Sequence, residues 1–239
     1  TAKRAGPSIF RLSGRDDAQG LDAVRYLSAA HGGKPVAIVH DRTLYAKTIA
    51  GQTAAALMEK KIEIITATIV AGDKEYGKLI AKIKDAGAVF FAGFPLEAGF
   101  IVKELRASGS NVPLLASESV GTDEFVATFP EVAQQVFVLR AQLSNQLLAS
   151  GTTAVRLYAQ VLGGAFGPVK DAAGWRLLVN DALARHHHRL IAIGMENTFG
   201  FPEDLTHDIA FDATGNAKLD SYTLTRWNGA VWETNDALR

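Results

Sequence analysis

The apolar residues of this chain fall into short unbroken runs and helical stripes that take turns. Pro35 to Val39 is one such run. It stops at His40-Asp41 and passes through a polar turn into a segment where Tyr45, Ile49, Thr53, Ala56 and Leu57 share one helical face. The same alternation predicts a strand over Ser8–Arg11, then a helix introduced by Asp16-Asp17 with Leu21, Val24 and Leu27 along its face. A β-branched run, Ile62–Val70, reads as a strand ended by Ala71-Gly72-Asp73. Tyr76, Leu79, Ile80 and Ile83, spaced i, i+3, i+4 and i+7, mark the next helix. Ala88–Ala92 reads as a buried strand with Gly93–Glu97 as its exit loop. A helix carrying Ile101, Val102 and Leu105, a strand over Val112–Ala116, a short helix after SESVGTDE and a strand over Gln135–Leu139 complete the series. Strands that are apolar on both faces and alternate with amphipathic helices predict an α/β fold, a doubly wound parallel sheet with right-handed crossovers.

Past Arg140 the pattern changes. Val155, Tyr158, Ala159 and Leu162 mark one helix and Trp175, Leu178, Val179 and Ala182 another, with a break at Gly163–Pro168 and no local strand to pair with. The end returns to β structure: Asp208–Phe211, a turn at DATGN, Tyr222–Trp227, the hairpin signal Asn228-Gly229, and Val231-Trp232.

Charge and composition narrow the function classes. The 239 residues hold 25 Lys plus Arg against 25 Asp plus Glu, so no large net field is available to attract nucleic acid or an anionic membrane. Cys is absent, which removes thiolate catalysis, Cys-ligated zinc and disulfides. No apolar run approaches the ~20 residues that cross a bilayer, and TAKRAGPSIF lacks the apolar core of a signal peptide.

Two segments imitate functional motifs. Gly72-Asp-Lys-Glu-Tyr-Gly77-Lys78 has the glycine and lysine spacing of a phosphate-binding loop, yet Leu79 stands where the metal-binding hydroxyl belongs. His186-His187-His188 suggests a metal. Successive residues of a helix point about 100° apart, so a solvated helix end is the expectation. GxGxxG, GxSxG and HExxH are missing, and no catalytic residue, metal or cofactor is expected.

In open α/β sheets ligands bind beyond the carboxyl ends of the strands. The alternation places four side chains there: Asp16 before its helix, Tyr45 after the Val36–Val39 strand, Phe94 after AVFFA, and Glu118 after VPLLA. Carboxylates beside aromatic rings suit a small ligand with a cationic head and an apolar part. Spacing alone favours the plainer reading, in which Asp16 caps a helix, Tyr45 and Phe94 fill core, and Glu118 is solvated.

FRLSGRDDAQG, VAIVHDRTLYAKTIA, VAGDKEY, VFFAGFPLEAGFIVKELRASG and LLASESVG, followed by THDIAFDATGNAKLDSYTLTRWNGAVW, occur in the order and spacing of one family. In them the chain resembles the leucine/isoleucine/valine-binding proteins, the periplasmic substrate-binding components of branched-chain amino acid ABC transporters. The similarity is strongest over 10–140 and 205–233. It implies the type I periplasmic-binding fold, with 8–139 as the ligand-binding lobe two, 140–207 as a helical remainder of lobe one with a crossover, and 208–239 as a crossover and β-hairpin returning to lobe two. It further implies a periplasmic, non-enzymatic chain that binds an amino acid or similar molecule and delivers it to an ABC permease, without nucleic acid or direct membrane insertion. A ligand-sensing regulatory domain of the same fold is the alternative. The strand–helix run with which the family opens lobe one, and which grips the ligand carboxylate, has no counterpart here, and the stretch from Leu139 to Ser150 is shorter than the family's. Either the chain is a fragment or edited version, or lobe one is supplied otherwise; in both cases helices over 147–185 are the orphaned half of lobe one, and the expectation is the missing run and a signal peptide upstream and weak binding by the chain alone. Residue by residue, the resemblance gives Glu118 and Asp16 contacts to the ligand ammonium and makes Tyr45 and Phe94 cleft aromatics, Phe94 standing where relatives often carry Tyr.

Overall fold

The computed structural model describes residues 16–140, 188–190, 207–209 and 222–235. The chain divides into two compact units, one of Arg15–Ala141 with Ser221–Arg239, the other of Thr1–Gly14 with Gln142–Asp220.

In the first unit, helix α1 (Asp16–Ala30) leads into β1 (Val36–His40), α2 (Leu44–Glu59), β2 (Ile64–Thr68), α3 (Gly77–Ile83), β3 (Ala88–Ala92), α4 (Pro95–Ala107) and β4 (Leu114–Ala116). A 3-10 turn (Glu118–Val120), α5 (Asp123–Thr128), α6 (Pro130–Ala133) and β5 (Val136–Arg140) follow. Strands β1 to β5 run parallel in the order β2-β1-β3-β4-β5. The chain moves outward from β1 to β2 and then returns past β1 to β3. The opening between β1 and β3 is thus the point where the winding reverses, the place where open α/β sheets offer a crevice.

Strand periodicity decides which face each residue feeds. Val36 and Ile38 of β1 and Ala88, Phe90 and Ala92 of β3 pack under α1 and α2. Ala37, Val39, Val89, Phe91, Leu114 and Ala116 pack under α3 to α6. β3 is buried along its whole length. Gly87, just before it, has to be glycine: a Cβ there would lie 1.9 Å from the His31 carbonyl oxygen.

Helix α2 starts where Thr43 caps it, its Oγ1 accepting the Ala46 N–H at 3.2 Å. α4 starts at Pro95, a residue well suited to a first helical turn, so the expected exit loop Gly93–Glu97 shrinks to Gly93-Phe94. Asp16 is the first residue of α1 and not part of a preceding loop. The predicted strand Ile62–Val70 is reduced to Ile64–Thr68, because the Ile62 N–H is taken by Leu57 C=O at the end of α2.

β8 (Thr223–Trp227) extends the sheet antiparallel to β5, and β9 (Trp232–Thr234) pairs with β8. The expected hairpin is present, with a four-residue turn between the paired residues Trp227 and Trp232. Asn228 Oδ1 accepts the N–H groups of Ala230 and Val231, and Gly229 supplies φ +109°.

In the other unit the described residues form an antiparallel pair, β6 (His188–Leu190) with β7 (His207–Ile209). His188 is therefore in a strand, which corrects the expected helix end. Helical spacing cannot register a partner strand 17 or more residues away that takes up the backbone groups. The strand expected over 8–11, His186 and His187, and the helices over 147–185 lie outside the described residues. Among the described residues no helix is long and apolar enough to cross a membrane.

Candidate functional site

The phosphate-loop imitation is filled by protein. Glu97 Oε1 accepts the Gly72 N–H at 2.9 Å and Glu104 Oε1 accepts the Tyr76 N–H at 2.8 Å, both carboxylates coming from α4. Backbone donors that a phosphate would need are already bound to anions, which would also repel it. Leu79 is buried in the α3–sheet core, as its place on the helical stripe requires. The segment is a strand-to-helix connection.

The four side chains singled out at the strand ends share one neighbourhood. Tyr45, in the first turn of α2, faces Phe94 with ring centroids 6.3 Å apart and planes inclined by 33°. Phe94 is 44% exposed and Tyr45 half-buried, so Phe94 is not a core residue. Glu118 opens the 3-10 turn after β4 and is half-buried, while Asp16 is exposed at the start of α1. Glu118 and Tyr45 are joined by a residue absent from the sequence expectations. Gln19, fully buried on α1, accepts the Glu118 N–H on Oε1 at 2.8 Å, and the Tyr45 hydroxyl lies 3.5 Å from the same oxygen.

A second unanticipated residue sits at the centre. Tyr222, 3% exposed, leads into β8, and its N–H donates to Asp22 Oδ2 at 2.9 Å. Burial pushes its phenol well above the ordinary tyrosine range. The negative charges of Glu118 and Asp16 and the Tyr45 ring hydroxyl push the same way, and the neighbouring Gln19 amide works against them. Asp16, Tyr45 and Glu118 thus all reach Tyr222 electrostatically, and Phe94 joins through Tyr45. The phenol stays protonated.

The rim next to Glu118 is held by hydroxyls. Ser117 Oγ accepts the Gly93 N–H at 3.2 Å and lies 3.3 Å from the Gly93 carbonyl oxygen, to which the Ser119 hydroxyl donates at 2.5 Å. Arg140, closing β5, is within the field of Glu118 and Asp123. Burial lowers its pKa and those two carboxylates oppose the shift. Its guanidinium lies over the Trp232 ring at 5.7 Å.

Two hollows lie elsewhere: about 470 Å³ beside β2 and α3, reaching His40, and about 430 Å³ along the β8–β9 hairpin. Neither is lined by Tyr45, Phe94 or Glu118. The first is a cationic surface groove with Lys78 and Lys82, and Lys82 already donates to the Thr66 carbonyl at 2.7 Å. The carboxylate–aromatic cluster is the stronger candidate because it combines both recognition chemistries at the crevice.

His40 stands apart from the cluster. The Arg42 N–H donates to its Nδ1 at 3.1 Å, so the ring is neutral with its proton on Nε2. Burial lowers its pKa, Lys47 and Arg42 add to the shift, and Asp41 opposes it. A depressed histidine pKa means that the unfolded chain binds the proton first, so stability falls as pH drops through the ordinary value of about 6.5. We expect His40→Gln to lose less stability than wild type between about pH 7.5 and pH 5.5 in urea unfolding, and identical slopes would contradict this account of His40.

Residues 1–168 match the family model of the periplasmic binding proteins. The chain belongs to this family. A leucine-, isoleucine-, valine-, threonine- and alanine-binding protein of Pseudomonas aeruginosa is 26% identical over 238 residues, covering 92% of this chain and 60% of that protein. An amino acid binding protein of the same organism is 33% identical over 129 residues, 53% of this chain and 34% of that protein. This periplasmic binding protein therefore spans about a third to three-fifths of the length of these two relatives. Among solved structures, the leucine-binding protein LivK of Thermotoga maritima aligns with TM-score 0.70 at 14% identity, covering 98% of this chain and 70% of that one. The substrate-binding protein LivJ of Streptococcus pneumoniae, in complex with isoleucine, aligns with TM-score 0.63 at 23% identity over 93% and 65%. Both have the type I periplasmic-binding fold, and the mixed sheet described above shares it.

Proposed function

We propose that this chain is the extracytoplasmic solute-binding component of an ABC importer, working in the periplasm without catalysis and passing an amino acid to a membrane permease. The observation that carries the reading is the grouping of the Asp16 and Glu118 carboxylates with the Tyr45–Phe94 ring pair around Tyr222, at the carboxyl ends of β1, β3 and β4. A carboxylate in a partly desolvated position pairs well with an ammonium group, and the tilted rings offer an apolar wall to an aliphatic side chain. The names of the relatives support the same ligand class. The unit Arg15–Ala141 with Ser221–Arg239 would be the lobe that reads the ammonium end.

Titration calorimetry with leucine, isoleucine and valine tests this reading, set against 4-methylpentanoate, which keeps the leucine skeleton and carboxylate but has no ammonium. Saturable binding of at least one amino acid is expected, with the analogue weaker by about tenfold or more, the usual size of a charge-assisted hydrogen bond. Equal affinity for leucine and the analogue would move recognition away from Asp16 and Glu118. No binding of any of them would end the amino-acid reading.

A further inference from the structure

We propose that Gln19 is a positioning residue that, together with the Ser117 and Ser119 hydroxyls, aims the Glu118 carboxylate at the ligand ammonium; this rests on the amino-acid reading given above. Glu118 occupies the first position of a three-residue 3-10 turn, whose opening N–H has no partner within the turn itself. Gln19 Oε1 supplies that partner at 2.8 Å, from a helix 99 residues away in sequence. Both neighbours of Glu118 are tied to one other point. Ser117 Oγ and Ser119 Oγ are 3.0 Å apart and both bind Gly93, the residue before Phe94.

The residue that bears the carboxylate is consequently held to α1 and to the turn that carries Phe94. Gln19 anchors it to α1 and lies 3.5 Å from the Tyr45 hydroxyl, and the serines anchor it to the Phe94 turn. Gln19 has its carbonyl engaged with the Glu118 N–H, and its amide faces the Tyr222 hydroxyl, so both ends of the side chain are turned to the cluster. The pattern fits a residue retained for where its carbonyl puts Glu118. Gln19 itself is fully buried and would not touch the ligand.

The test is a double-mutant cycle in the full chain with leucine and 4-methylpentanoate as probes. Gln19→Met keeps length and removes both hydrogen-bonding ends, and Gln19→Glu keeps an acceptor for the Glu118 N–H. We expect Gln19→Met to weaken leucine binding by about tenfold, to change 4-methylpentanoate binding by less than about twofold, and to have no further effect in a Glu118→Gln background. Gln19→Glu should recover part of the loss, and Ser119→Ala should show the same ligand selectivity with smaller size. Thermal unfolding of each variant separates this from general loosening, because a structural role would weaken both ligands together. Parallel loss for both ligands, or additive effects of Gln19→Met and Glu118→Gln, overturns the proposal while leaving the amino-acid reading intact. Failure of wild type to bind leucine overturns both.

Discussion

Replacing Phe91 with alanine is expected to destabilise the protein by about 3–5 kcal/mol, the range for removing a fully buried phenylalanine. Phe91 is in the middle of the sheet on β3, completely buried, and feeds the face packed by α3 to α6. Its ring lies so close to the backbone of Gly93 that a Cβ on that glycine would be 2.5 Å from the ring edge, so the ring and the following turn are built against each other. The Phe91 carbonyl also accepts the Ser117 N–H at 2.9 Å. Truncation therefore leaves a cavity directly below the turn that carries Phe94 and beside the one that carries Glu118. Relaxation into that cavity would shift both, so ligand affinity should fall along with stability. Urea unfolding reads the first effect and titration the second. A loss below about 1 kcal/mol would mean that the β3 core repacks freely and is not the support of the rim.

That support is also where the sequence was most informative. The runs Val36–Val39 and Ala88–Ala92 are legible as central strands because a strand covered on both faces has no polar positions to interrupt it. Leu79 could be taken from the phosphate-loop imitation and given to a helix because its neighbours Ile80 and Ile83 keep the 3.6-residue period. Strand ends follow from strands, which is how Asp16, Tyr45, Phe94 and Glu118 could be named at all. Gln19 and Tyr222 are a different matter. Gln19 meets Glu118 across 99 residues and Asp22 meets the Tyr222 backbone across 200, and no local periodicity encodes such a contact. Both residues were embedded in segments whose helix or strand pattern explained them sufficiently, GRDDAQG and the alternating tail. A buried glutamine on an otherwise apolar helical face is a signal, but an ambiguous one, since glutamine is also a good helix former on solvated faces. His188 shows the opposite failure. Its local spacing suits a helix end, while its backbone is claimed by a strand beginning at His207.

Glu118→Gln carries the second large expected effect: amino-acid binding weakened by about 1.5–3 kcal/mol, on the order of 10- to 150-fold, the range for a hydrogen bond to a charged group. The substitution keeps shape and hydrogen-bonding capacity and removes the charge, so the Gln19 contact to the backbone N–H of residue 118 remains. Charge is what an ammonium group would read here, because half-burial lowers the effective dielectric around the carboxylate and strengthens the pairing relative to open water. Asp16→Asn should have a smaller effect, since Asp16 is exposed and better screened. The positive charge of Arg140 lies in the field of Glu118, so part of the carboxylate's pull is already spent on a protein group, which argues for the lower half of the range. Folding stability should move by no more than about 1 kcal/mol, as expected for a carboxylate that is not deeply buried. Unchanged leucine affinity in both Glu118→Gln and Asp16→Asn would remove the ammonium site from this rim and turn attention to ligands recognised by the aromatic pair and the Tyr222 phenol alone.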